Sequence, residues 1–142
     1  MSIQTKVHRV GQLLLGALIS SAAVAYAGLP QAGAAQPPIP RGVPMRSWHE
    51  NGHDGRYLLQ IVGGAPGKIG KRMIGTIVTD TDCDADAEGL SHCRNNIELA
   101  NGRRITVIDT HEMHRYRCLE PGEKVSLSEV GNSWLIGTVS MR

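Results

Sequence analysis

The segment Asn96–Asp109 (N-I-E-L-A-N-G-R-R-I-T-V-I-D) constrains the fold more than any other stretch of the chain. Two runs with apolar residues at alternate positions flank Asn101-Gly102, the signature of a β-hairpin. A two-residue turn would pair Leu99 with Arg104 and Ile97 with Thr106, scattering apolar side chains over both faces. A three-residue loop, Ala100-Asn101-Gly102, instead puts Gly102 at the left-handed position of a type I turn with a bulge. Ile97 then faces Ile105, Leu99 and Val107 share that side, and Glu98 meets Arg104 on the other. A one-residue slip inverts every side chain, so this agreement selects the second register. It predicts Ile97, Leu99, Ile105 and Val107 as core.

Further short strands are expected over residues 56–62 (R-Y-L-L-Q-I-V), 73–79 (M-I-G-T-I-V-T), 124–128 (K-V-S-L-S) and 133–140 (S-W-L-I-G-T-V-S). Pro121-Gly122 and Gly131-Asn132 mark turns between them. Residues 110–118 (T-H-E-M-H-R-Y-R-C) fit a turn of helix or an edge strand equally well. With about five to seven short strands and almost no helical periodicity, the reading is all-β: a small barrel or sandwich, OB-like or SH3-like.

The N-terminus reads as an address. Lys6, His8 and Arg9 precede an apolar run from Val10 to Val24, which ends in Ala25-Tyr26-Ala27. That order is a secretory signal peptide over residues 1–27, with cleavage before Gly28. The strongly apolar part is shorter than the roughly 20 residues a membrane span needs. Residues 28–44, centred on Pro37-Pro38-Ile39-Pro40, read as a Pro/Ala/Gly-rich tether, and residues 45–142 as one small β domain. The whole chain has 15 Lys+Arg and 13 Asp+Glu. Removing Lys6 and Arg9 leaves 13 against 13, so the mature chain has no basic footprint for nucleic acid. The expected location is periplasmic or secreted.

Export makes cysteine pairing the default. Of Cys83, Cys93 and Cys118, Cys83 and Cys93 close a short loop worth roughly 3 kcal/mol. Cys93–Cys118 is the alternative, because spacing does not determine connectivity. The stretch Asp80–Asn95 between two expected strands holds five carboxylates and His92. Within it Asp84, Asp86 and Glu88, followed by Gly89, match the opening half of a calcium loop. Asn95 stands where the closing bidentate Glu would be. A second cluster, His111, Met113, His114 and Cys118, offers imidazole and sulfur suited to copper or zinc. His49 and His53 read as exposed loop histidines, since Gly52 and Gly55 break the helix that would align them.

Catalytic signatures are weak. Gly63–Arg72 superficially resembles a phosphate loop, but Gly67-Lys68 is followed by Ile69 and lacks the upstream glycine. It reads as a flexible hairpin connection. G-x-S-x-G is missing from the sequence. His49-Glu50-Asn51-Gly52-His53 has the letters of H-E-x-x-H, but Gly52 and Gly55 argue against the helix that motif needs, and no catalytic residue is assigned. The expectation is an exported, non-enzymatic binding module for a small ligand or protein, with no stable membrane span once the signal is cleaved. The alternative is a metal-binding exported protein that holds a divalent cation through Asp84, Asp86 and Glu88, or a transition metal through His111 and His114.

Overall fold

Each expected strand forms, and most run longer than their apolar centres. A computed structural model of the chain describes residues 36–131 and 133–140. The signal-peptide reading and the first part of the tether lie outside the described residues. The strands are β1 (Arg56–Gly64), β2 (Met73–Thr81), β3 (Ser91–Leu99), β4 (Arg104–His111), β5 (Lys124–Gly131) and β6 (Trp134–Thr138). They close into an antiparallel barrel in the order β1-β4-β3-β2-β5-β6. Closure pairs every strand on both sides and leaves no open edge. Two short 3₁₀ turns, Trp48–Glu50 and His53–Gly55, precede β1.

The central hairpin takes the register that its side chains require. Ile97 is opposite Ile105 and Glu98 opposite Arg104, and Arg104 Nη2 donates to Glu98 Oε2 at 2.9 Å. Ile97, Leu99, Ile105 and Val107 are all buried in the barrel core with Leu59, Ile77, Val125, Leu127 and Leu135. The interior is tight. A Cβ on Gly75 would lie 2.5 Å from Ile97 Cγ2, and one on Gly137 2.8 Å from Leu59 Cδ1. Gly102 has φ +80° with open space around it, so a side chain there meets strain and nothing else. Gly102→Val should therefore cost more than about 1 kcal/mol in a urea melt. A neutral result would contradict the turn.

Two connections differ from their sequence reading. Residues 65–72 do not join neighbouring strands, because β1 pairs with β4 and β6 while β2 pairs with β3 and β5. The connection crosses one end of the barrel and inserts Ile69 into the core. Residues 36–45 pack against the barrel. Ile39, Val43 and Met45 cover Trp48, Leu58 and Ile136 on its outer face, and Trp48 Nε1 donates to Pro37 O at 2.9 Å. This cover explains how Leu58 can be buried between Tyr57 and Leu59 although it points outward.

Candidate functional site

Period-two alternation carries the interior of the barrel from an apolar half into a polar one. On β3 the buried positions run Leu99, Ile97, Asn95, Cys93 and Ser91; on β4 they run Ile105, Val107, Asp109 and His111. The polar members gather at the end bearing the loops 47–55, 82–90 and 112–123. On β2, strict alternation from Gly75 and Ile77 would turn Asp80 outward. The register shifts between Ile77 and Thr79, so Asp80 stands opposite Asn95. That bulge at Val78 re-aims a carboxylate into the polar end, a common use of bulges near sites.

Asp109 and His111 are fully buried there, with His111 Nδ1 3.2 Å from Asp109 Oδ2. The contact is close enough for an ion pair but not aligned as a hydrogen bond. Asp109 Oδ2, both His111 ring nitrogens and Asn95 Oδ1 lack hydrogen-bond partners among the described residues. Asn51, from the loop before β1, braces the pair. Its Nδ2 donates to Thr110 O at 2.8 Å and Leu58 O at 3.1 Å, and reaches Asp109 Oδ1 at 3.3 Å. The Tyr57 ring meets His111 edge-on, while Tyr57 Oη donates to Arg117 O. Burial pushes the Asp109 pKa up despite His111. Burial opposes charge on His111, yet Asp109 beside it and the Asp80 charge raise its pKa overall.

Cys83 and Cys93 are joined, as their spacing suggests, and Cys118 remains a half-buried thiol. Asp80, Cys83, Cys93 and Cys118 each place one ligand-type atom within 4.8 Å of all the others. Burial, followed by the charges of Asp80 and Asp109, pushes the Cys118 thiol up to about 11. Asp80 is itself raised, first by burial and then by the charge of Asp109, although His111, Cys118 and Asn95 act to lower it.

The other candidate ligands lie elsewhere. The loop is shorter than its sequence outline: β2 ends at Thr81, β3 begins at Ser91, and His92 and Cys93 are strand residues. Asp84 and Glu88 are exposed on it. Asp86 is already engaged. Its Oδ1 accepts from the Glu88 and Leu90 amides at 2.8 and 3.0 Å, and its Oδ2 meets His92 Nε2 at 2.9 Å and Gln36. Burial opposes the Asp86 charge, but these donors together pull its pKa down to about 2. A depressed carboxylate stabilises the fold above its unfolded pKa and loses that contribution as pH falls through its folded value. Discounted for solvent screening, Asp86→Asn should cost about 1 kcal/mol at neutral pH. Urea melts of the two proteins should converge as pH falls from 4 towards 2. On β4, His111 points inward, whereas His114 sits in the exposed turn beyond it, so the structure does not bring those two histidines together.

Beside the polar end a cleft of about 380 Å³ opens between residues 43–46 and Tyr116. Its floor is apolar (Val43, Met45, Leu58, Ile136), and Arg46, Arg56 and Arg115 stand around it together with the carboxylates Glu50 and Asp54. Arg46 pairs with Glu50 and Arg115 with Glu112. Arg56 has no carboxylate partner among the described residues. The chain matches no protein-family model, no curated protein and no solved structure.

Proposed function

We propose that the protein is an exported, non-enzymatic binding module whose working surface is the loop-bearing, polar end of the barrel. The observation that carries this reading is the cleft there, which combines an apolar floor with an unpaired arginine. Its volume falls in the range of small-molecule sites, which pair apolar walls with a few orienting polar groups. The ligand class that fits is a small molecule or chain end with an apolar body and a carboxylate. Export is read from the N-terminal address. Amide-shift titration of the protein with an aryl or medium-chain carboxylate, and with the matching alcohol, tests the binding. The carboxylate should shift the Arg56, Leu58 and Tyr116 amides and bind at least tenfold tighter than the alcohol, and Arg56→Glu should abolish that preference. Equal binding of both compounds would contradict the reading.

A second reading, a metal-binding protein, is favoured by one separate observation: three sulfurs and a carboxylate converge at Cys93. This donor set differs from the calcium-type oxygens of Asp84, Asp86 and Glu88 and from the His111–His114 pair. Its soft sulfurs suit zinc-class ions.

A further inference from the structure

We propose that Asp80, Cys83, Cys93 and Cys118 form a redox-gated site for a thiophilic divalent cation, closed by the Cys83–Cys93 disulfide and opened by its reduction. This rests on the metal-binding reading above.

The four donors come from separate, well-anchored segments. Asp80 is aimed inward by the β2 bulge, and Cys93 stands near the start of β3, buried and in register with Asp109 of β4. Cys118 lies on the 112–123 loop, which is pinned to β2: Ile77 N donates to Glu123 O at 2.9 Å and Gly122 N to Ile77 O at 2.8 Å. The neighbouring Arg117 grips Glu123 with both guanidinium nitrogens, and Leu119 is buried in the core. Cys118 is thus held beside the disulfide by structure on both of its sides.

Tetrahedral zinc with three thiolates needs donors about 3.8 Å apart, from bonds of about 2.3 Å. The present set lies within 4.8 Å, so cleaving the sulfur–sulfur bond and drawing the other donors in by about 1 Å would reach that geometry. Independently, Asn95 Oδ1 and Asp109 Oδ2 are fully buried without hydrogen-bond partners, directly across the sheet from Asp80 and Cys93. A bound cation would offset the negative charge that these carboxylates and thiolates concentrate.

The chemistry balances. A protein dithiol gives two electrons and two protons to the Cys83–Cys93 bond, leaving two thiols and becoming a disulfide itself. Binding then releases one proton from each of Cys83, Cys93 and Cys118 as three sulfur–metal bonds and one Asp80–metal bond form. A disulfide oxidant reverses the sequence: it takes two electrons from Cys83 and Cys93, and the re-formed bond removes two ligands and expels the ion.

Zinc titration of the oxidised and the phosphine-reduced protein under anaerobic conditions, with cobalt as a spectroscopic probe, tests both layers. The reduced protein should bind one equivalent at least 100-fold tighter than the oxidised protein, and cobalt should show thiolate charge-transfer absorption. Cys118→Ser and Asp80→Asn should each weaken reduced-state binding at least tenfold. Should reduction unfold the chain, zinc must restore the dispersed amide spectrum. Reduced protein that neither binds zinc nor refolds with it overturns the gate and the metal reading together. Equal binding by both redox forms overturns the gate and leaves the metal reading standing.

Discussion

Asp109→Ala should lower the stability of the domain by about 3–5 kcal/mol, the cost of breaking a fully buried ion pair from one side. The loss is large because His111 has no other partner to turn to: its Nε2 is unpartnered and its ring is packed edge-on by Tyr57. The groups facing it are Asp109 on its own strand, Asp80 on β2 and Tyr57 on β1. The pH dependence has a definite sign. Because the folded His111 pKa is raised, its contribution is fully present below the unfolded histidine value of about 6.5 and is lost as pH rises through the folded value. Wild-type urea midpoints should therefore fall above neutral pH, and Asp109→Ala should flatten that slope. An Asp109→Ala protein as stable as wild type, with the slope unchanged, would mean that the pair carries no charge.

The double variant Cys83→Ser/Cys93→Ser should lose about 3 kcal/mol, the loop-closure entropy returned to the unfolded chain by a crosslink spanning ten residues. For a small domain with a thin core that is a large fraction of the total stability. The bridge also ties the end of β2 to the start of β3 at the polar end, so protection of amides in residues 82–90 from hydrogen exchange should fall further than protection of the Ile97–Ile105 hairpin. Uniform loss of protection would show that the disulfide serves the barrel as a whole and not this end in particular.

The two predictions concern residues whose visibility in the sequence differed. Local alternation was enough to find the hairpin register and the apolar core, because Ile97, Leu99, Ile105 and Val107 agree with only one turn. The same alternation, carried two further inward positions along each strand, reaches Asn95, Cys93, Asp109 and His111. Their polarity hid them, since a polar side chain in an alternating strand ordinarily marks the solvent face. The bulge at Val78 has no local signal: no glycine marks it, and it exists only because β2 must pair with β3. Pairing of β1 with β4 is likewise non-local, so the crossing role of residues 65–72 could not be read from a glycine-rich sequence. Cys118 was visible as a spare thiol, but its place beside the disulfide depends on how the 112–123 loop docks on β2.

The proposed binding role of the polar end implies that its buried Asp109–His111 pair is not kept for stability. The most direct measurement is the urea stability of Asp109→Val/His111→Leu. Replacing a buried ion pair by apolar side chains of similar size is commonly neutral or stabilising, and Asn51 would keep its bonds to Leu58 O and Thr110 O. The account predicts a variant at least as stable as wild type. A double variant that is less stable by more than about 1 kcal/mol would contradict it, and would make the pair a structural part of the fold.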